Sequence, residues 1–200
     1  MAVDTRIIVL ASGRGSNFCA LSDAISNHTL TNAKIVGVVS NKKGALVLKE
    51  AEQRNIPTHL IDSKNFSLNG IFQRTEYEKV LITTIASLQP DLILLAGYLL
   101  VLGKEVIAHF PNKIINIHPS LLPKFPGLHA QRQALEKGEK VTGCTVHWVT
   151  EGLDEGAMIL QAKLKILEGD TEATLSERLL PLEHATYIAA VQLLLHSLKH

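Results

Sequence analysis

The 200-residue sequence predicts an α/β fold: one domain with a doubly wound, mostly parallel sheet, a C-terminal antiparallel strand extension and a closing helix. Two observations predict it. As far as residue 117, short apolar runs alternate with longer amphipathic stretches, which is the rhythm of βαβ units. After Thr142 the pattern changes to two alternating runs and one long helical stretch. We find no repeat, low-complexity tract or linker, so we expect a single domain over residues 1–200.

The elements follow from these runs. The predicted strands of the parallel part are Arg6–Ala11, Lys34–Ser40, Thr58–Ile61, Asp91–Ala96 and Lys113–Ile117, and the predicted helices are Asn17–Asn27, Ala45–Arg54 and Arg74–Leu88. Thr142–Thr150 and Ala157–Ile166 should form the antiparallel extension. The closing helix is expected over Thr171–Ser197, where Pro181 should kink or split it.

The composition limits the classes of protein to consider. Hydrophobic residues make up 46% and charged residues 20%, and the formal net charge of +1 predicts neither a nucleic-acid nor a membrane partner. Cys19 and Cys144 form no CxxC pair and fit a reduced compartment. The N-terminal apolar run is too short for a signal peptide, and the C-terminal run is too short and too polar to span a bilayer. We therefore expect a cytoplasmic protein.

A glycine-containing loop, residues 12–17 (SGRGSN), follows the first predicted strand and is called the phosphate loop below. Its glycines allow a tight turn and close approach of a ligand, and Ser16 and Asn17 are good N-cap residues. A helix N-terminus offers amides and a positive dipole end to an anion. Phe18 stands where a dinucleotide fingerprint needs its third glycine, and the loop lacks a Walker sequence. The loop therefore suits a single phosphate, and a plain tight turn is the alternative.

Polar residues end the strand at Lys113–Ile117 and open the segment that follows it. Asn116 and His118 are two residues apart, so both face the same way at the carboxyl end of the strand, where open α/β sheets bind ligands. Three prolines, at positions 119, 123 and 126, stiffen the next segment. Asn and His together suit an oxyanion that develops on a carbonyl under attack. A structural histidine bonded to the backbone is the alternative for His118.

A carboxylate should accompany these two residues, since it favours the imidazolium form of a histidine. Asp154, in the turn between the two late strands, is the candidate, and an ordinary turn acid is its alternative. The sequence shows neither a nucleophile elbow nor a histidine pair with the spacing of metal ligands. The residues thus predict acyl-type transfer with no covalent intermediate and no metal. The other histidines, His147 among them, are interpreted as structural.

Four segments together resemble the glycinamide ribonucleotide (phosphoribosylglycinamide) formyltransferase family: SGRGSN (12–17), NIHPSLLPKFPG (116–127), VTEGLDEGAMI (149–159) and LEHATY (182–187). The resemblance covers nearly the whole chain. It implies a Rossmann-like fold and a folate-dependent enzyme. That enzyme moves a formyl group from 10-formyltetrahydrofolate to the amine of glycinamide ribonucleotide, in de novo purine biosynthesis, through a tetrahedral intermediate. The alternatives are another formyl-folate enzyme, either a hydrolase or a transferase to a different amine, and a nucleotide-binding module without catalysis.

The resemblance also implies which residues act. Asn116, His118 and Asp154 would be the catalytic residues, called the trio below. Residues 1–120 would form the phosphate-binding half, and residues 121–200 the folate-binding and catalytic half. The ribonucleotide-binding residues would be Gly15, Ser16, Asn17 and Glu183. The folate-binding residues would be Arg74, Leu99, Leu100, Val101, Leu102, Asn116, Thr150, Glu151, Gly152, Leu153 and Asp154.

The mechanism that the resemblance implies is direct attack by the neutral amine, with Asn116 and a protonated His118 stabilising the oxyanion. Asp154 would raise the pKa of His118 and help to move the proton. A cis peptide before Pro123, a monomer or homodimer, and small-molecule substrates without a metal are also implied. The sequence departs from the family at Leu99-Leu100, where Met-Arg is common, and in a longer segment over residues 62–72, which affects the alignment of Arg74.

Overall fold

The computed structural model describes residues 4–197, so the ends of the predicted domain, residues 1–3 and 198–200, lie outside the described residues. The chain forms two compact units that divide after Ile114. In chain order the first unit contains β1 (Thr5–Leu10), α1 (Ser16–Ser26), β2 (Ala33–Ser40), α2 (Leu46–Gln53), β3 (Thr58–Leu60), a 3-10 turn (Ser63–Phe66), β4 (Ser67–Leu68), β5 (Ile71–Phe72), α3 (Arg74–Ser87), β6 (Leu92–Leu95) and α4 (Lys104–His109). Across the described part of the chain, we find no helix long and apolar enough to cross a membrane.

The first unit is built on four parallel strands in the order β3-β2-β1-β6. The last four residues of β1 and all of β6 are buried, as expected for parallel strands covered on both faces. The predicted strands and helices of this unit are confirmed to within two residues. The sequence did not predict α4 or the small β4-β5 hairpin. Helix α4 has six residues and each hairpin strand has two, and such short elements show no hydrophobic periodicity.

The second unit follows the predicted change of pattern. It contains β7 (Ile114–His118), α5 (Ala130–Glu136), β8 (Val141–Trp148), β9 (Met158–Lys165) and α6 (Glu172–Ser197). The three strands are antiparallel in the order β7-β8-β9, so the predicted extension is confirmed, and α5 was not predicted.

Helix α6 runs unbroken for 26 residues with Pro181 inside it, so the expected split at this proline is wrong. Pro181 is exposed, whereas Leu179 and Tyr187 are fully buried and the helix contacts β8 and β9. A proline removes one helical hydrogen bond. Here the packing of the opposite face keeps the helix continuous across that gap.

The turn from β1 into α1 requires a glycine at position 15. Gly15 is the N-cap of α1 and has φ +81°, so the predicted N-cap role of Ser16 and Asn17 is wrong. A Cβ at this position would also lie 2.6 Å from Cγ2 of Val47. Both the left-handed backbone and the close packing on α2 therefore exclude a side chain.

We expect Gly15→Ala to lower the free energy of unfolding by about 2 kcal/mol, since it adds left-handed strain to overpacking against Val47. Gly13→Ala is the matched control. Nothing lies within 4 Å of a Cβ at Gly13, and this substitution should be neutral or slightly stabilising. Urea unfolding of the two variants checks the prediction, and equal losses would contradict it.

Candidate active site

The register of β7 against β8 brings three polar side chains onto one face of the second unit. Asn116 lies directly opposite His147, and His118 lies opposite Thr145. Directly opposed residues of antiparallel strands share a face, and so do residues two apart on one strand. Nδ2 of Asn116 accordingly lies 3.3 Å from Nε2 of His147. The strand pairing alone thus gathers Asn116, His118 and His147.

Asp154 completes this group from the turn after β8. Its Oδ2 accepts a hydrogen bond from the backbone amide of Gly127 at 2.8 Å and lies 3.3 Å from Nδ1 of His118. Its Oδ1 lies 3.5 Å from Nε2 of His147. The backbone of Asp154 is left-handed, with φ +55°, a conformation that Asp tolerates better than most residues. The structure therefore brings the three residues of the trio together, with His147 among them.

The surroundings of Asp154 stabilise its charged form. Burial by itself raises the pKa of this carboxyl. The hydrogen bond from His147, the amide of Gly127 and the charges of the two histidines more than offset burial, so its pKa lies below the ordinary value. Asp154 is thus a carboxylate at neutral pH, held in a buried position by three neighbours.

His118 corrects the expectation that Asp154 keeps its pKa raised. Burial is the largest influence and lowers the pKa of His118; the carbonyl of Phe125 and the Asp154 carboxylate raise it, and the charge of His147 lowers it. The net pKa lies below the ordinary value. The side chain is only 6% exposed, and the loss of hydration destabilises its charged form more than the Phe125 carbonyl and the Asp154 carboxylate stabilise it. Without a ligand, His118 is therefore neutral at neutral pH.

Both ring nitrogens of His118 face acceptors. Nε2 donates to the carbonyl oxygen of Phe125 at 2.8 Å, and Nδ1 faces Asp154. The backbone bond matches the structural alternative for this histidine, and the carboxylate matches the catalytic one. A neutral imidazole has one N–H for these two acceptors. Any added negative charge nearby would therefore favour the doubly protonated ring.

The segment that supplies Phe125, residues 119–127, is the proline loop, and polar side chains fix it. Thr145 donates to the carbonyl of Ser120 at 2.7 Å and accepts from the amide of Leu122 at 3.1 Å. Gln161 donates to Thr145 at 2.8 Å and to the carbonyl of Leu122 at 3.1 Å. The Leu122–Pro123 bond is cis, which confirms that expectation. The loop is thus fastened to β8 and β9.

His147 is the site residue that the sequence analysis missed, since it was interpreted as structural. Its Nδ1 donates to the carbonyl of Trp148 at 2.9 Å, and its Nε2 lies 3.3 Å from Nδ2 of Asn116 and 3.5 Å from Oδ1 of Asp154. The alternating pattern of β8 placed His147 on a defined face. Nothing in the sequence showed that Asn116 would lie opposite it, because the register between strands more than 20 residues apart is set by the tertiary structure and not by a local pattern.

The other residues predicted in the second unit lie in the turn and on α6. Thr150, Glu151 and Leu153 are exposed in the turn that carries Asp154. Glu183 is 8% exposed on α6. Burial, with the charge of Glu183 as a further contribution, raises the pKa of the Cys144 thiol to about 11, so this thiol on β8 is protonated and inert.

In the first unit, the phosphate loop leads directly into α1. The first hydrogen bond of the helix runs from the amide of Cys19 to the carbonyl of Gly15 at 2.9 Å. At a helix N-terminus the amides of the first turn point along the axis toward the preceding loop. Gly13 and Arg14 are exposed and Ser16 is half-buried, whereas Gly15 and Asn17 are buried, so the loop is open to solvent at its tip. This geometry fits an anion that binds at the helix N-terminus.

The predicted folate residues of the first unit also lie together. Residues 98–103 form neither helix nor strand and are called the apolar segment. Leu99 and Val101 are 63% and 54% exposed, whereas Leu102 is buried. Arg74 donates to the carbonyl of Val101 at 2.6 Å and pairs with Glu78 at 3.2 Å. Arg74 thus holds the apolar segment, which offers an exposed apolar face suited to a flat, apolar ligand.

Among residues 4–197, we find no group of three or more His, Cys, Asp and Glu side chains that could hold a metal ion.

Comparison with known proteins identifies the family. Residues 5–191 match the formyl transferase family model. The phosphoribosylglycinamide formyltransferase of Escherichia coli (strain K12) is 41% identical over 90% of this chain and 82% of its own length. The trifunctional purine biosynthetic protein adenosine-3 of Drosophila pseudoobscura pseudoobscura is 45% identical over 94% of this chain, which spans only 14% of that relative.

Solved structures agree with the sequence relatives. Glycinamide ribonucleotide transformylase 1 from Symbiobacterium toebii matches 97% of this chain and 89% of its own, with a TM-score of 0.91 and 40% identity. Phosphoribosylglycinamide formyltransferase from Brucella melitensis matches 94% of both chains, with a TM-score of 0.86 and 42% identity. The predicted α/β class with a mostly parallel sheet is confirmed. The chain belongs to the formyl transferase family.

Proposed function

We propose that this protein transfers the formyl group of 10-formyltetrahydrofolate to the amine of glycinamide ribonucleotide, as a cytoplasmic step of purine biosynthesis. The observation that carries the proposal is the clustering of the trio, in which the Asp154 carboxylate lies 3.3 Å from His118 beside Asn116 and His147. Support comes from the relatives named phosphoribosylglycinamide formyltransferase, one of which this chain covers over 82% of its length.

The reaction exchanges one C–N bond for another. The neutral amine attacks the formyl carbon, and the carbonyl oxygen takes the negative charge of the tetrahedral intermediate. The bond from that carbon to the folate nitrogen then breaks, and the proton released by the amine goes to that nitrogen. Asn116 donates a hydrogen bond to the oxyanion, and the carboxylate of Asp154 lies on the route of the proton.

The neutral state of His118 changes the expected role of this residue. Negative charge on the oxyanion favours the imidazolium form, so the pKa of His118 rises as the charge develops. The ring then takes up, by way of Asp154, the proton that the amine releases, and gives it up again when the folate nitrogen is protonated. Nε2 then donates to the oxyanion in place of the carbonyl of Phe125, while Nδ1 donates to Asp154. His118 thus interacts more strongly with the transition state than with the ground state, which is the condition for catalysis.

The first unit binds parts of both substrates in this proposal. The phosphate loop takes the ribonucleotide phosphate through Gly15, Ser16 and Asn17, and the apolar segment takes the folate ring. In the second unit, Glu183 binds the ribose and the turn at residues 150–154 binds folate. The proposed substrates need no metal, nucleic acid or membrane, and the chain acts as a monomer or homodimer. The division into halves at residue 120 stays a prediction.

The trio is tested by steady-state kinetics with both substrates. Asn116→Ala and Asp154→Asn should each lower kcat by about 100- to 1,000-fold, since each removes a group that acts on the developing charge or the proton. Glu155→Gln is the matched control, because it neutralises the exposed carboxylate next to Asp154 and should leave kcat unchanged. A wild-type protein that consumes formyl-folate at the same rate without the ribonucleotide would refute the proposed acceptor.

The phosphate loop is tested by Ser16→Asp. Ser16 is the first residue of α1, where a carboxylate stabilises a helix but repels a phosphate. We expect the KM for the ribonucleotide to rise at least about tenfold, with an unchanged KM for formyl-folate and no loss of unfolding free energy. Ser16→Asn, which adds no charge, should have a small effect. Equal increases of both KM values would mean that the loop is only structural.

The protonation of His118 is tested by an NMR titration of the ligand-free protein, with the ring signal assigned by its loss in His118→Gln. The pKa should lie below about 6.5, and Asp154→Asn should lower it further by removing a carboxylate that raises it. Because the folded state disfavours the charged ring, this histidine contributes stability above its ordinary pKa. That stability is lost as the pH falls through the folded value. A pKa above the ordinary value would contradict the assignment.

A further inference from the structure

The apolar segment has no regular hydrogen bonds of its own, yet it presents Leu99 and Val101 to solvent in a defined arrangement. Contact with water does not stabilise one arrangement of exposed apolar side chains, and ordering an irregular backbone costs conformational entropy. Something outside the segment must therefore hold it in shape.

Three side chains of the first unit do so, one from the phosphate loop and two from α3. Ser12 accepts from the amide of Leu99 at 2.8 Å and donates to Asn41 at 2.5 Å. Arg74 donates to the carbonyl of Val101 at 2.6 Å. Glu78 accepts from the amide of Gly103 at 2.8 Å. The bonds alternate along the segment, at positions 99, 101 and 103.

Glu78 connects two of these three contacts. Its side chain is 7% exposed and pairs with Arg74 at 3.2 Å, so the carboxylate fixes both the amide at Gly103 and the guanidinium at Val101. A Cβ at Gly103 would lie 2.6 Å from each carboxylate oxygen of Glu78, so this position must be glycine for the contact to form. A buried carboxylate is costly unless it is paired and hydrogen-bonded, and both partners of Glu78 belong to this arrangement.

We propose that Glu78 is a positioning residue for formyl-folate, which holds residues 99–102 in the shape that the folate ring contacts. The inference rests on the proposed function, which assigns the apolar segment to folate. It changes the role of Arg74, which acts through Val101 in this arrangement. Glu78 itself contacts no substrate, so its effect is on binding of one substrate and not on the chemical step.

The test compares Glu78→Ala, Glu78→Gln and Glu76→Ala by calorimetry with 10-formyltetrahydrofolate and by kinetics with both substrates. Glu78→Ala should weaken folate binding by about tenfold, with nearly unchanged kcat and KM for the ribonucleotide. Glu78→Gln keeps an acceptor for the amide of Gly103 and should recover most of the affinity. Glu76 lies on the same helix, 62% exposed and paired with Lys79, so Glu76→Ala should change nothing.

A reciprocal variant covers the case in which Glu78→Ala does not fold. Gly103→Ala places a methyl group against the Glu78 carboxylate, which should displace that side chain and also weaken folate binding. The variant should fold, because the backbone of Gly103, at φ −82°, accepts alanine without strain. Added to Glu78→Gln, Gly103→Ala should still weaken folate binding, because the longer side chain is still in the way. If Glu78→Ala folds, adding Gly103→Ala to it should lower the affinity for folate little further. This non-additivity identifies the contact itself.

The outcomes separate the inference from the proposed function. If the wild type binds formyl-folate but does not formylate the ribonucleotide, the proposed acceptor is wrong and the calorimetry still decides the role of Glu78. A folded Glu78→Ala with wild-type affinity, or with equal losses for both substrates, overturns the inference alone. A wild type that does not bind formyl-folate overturns both.

Discussion

The buried carboxylate of Asp154 is the constraint on which the second unit depends. A carboxylate that is only 10% exposed must be paired and hydrogen-bonded, and the chain supplies the amide of Gly127 and the two histidines. These three partners come from the proline loop, β7 and β8. Satisfying one charge therefore fixes the turn, the loop and the strand pair relative to one another.

The same carboxylate determines what His118 can do. Burial keeps the ring neutral until a second negative charge appears, and the two acceptors already in place make the doubly protonated ring favourable at that moment. A histidine that was charged from the start would gain less as the oxyanion forms. The lowered pKa is thus consistent with a group whose interaction strengthens in the transition state.

Irregular backbone in both units is held by side chains. Thr145 and Gln161 fasten the proline loop, and Ser12, Arg74 and Glu78 fasten the apolar segment. Segments outside regular helices and strands depend on such contacts to keep one conformation, because a backbone polar group that is not exposed to water needs a partner. These contacts hold the loop that bonds to His118 and the segment that the resemblance assigns to folate, although neither is a helix or a strand.

The sequence by itself determined the α/β class, the order of the main elements and the candidates Asn116, His118 and Asp154. These follow from short-range periodicity, from proline chemistry and from motifs within a few residues. Only the tertiary structure decided that His147 joins the trio, that His118 is neutral, that Pro181 leaves α6 unbroken and that Gly15 caps α1. Those features depend on strand register, burial and helix packing. Each results from contacts between residues distant in sequence or from the solvent that the fold excludes, which a local pattern does not record.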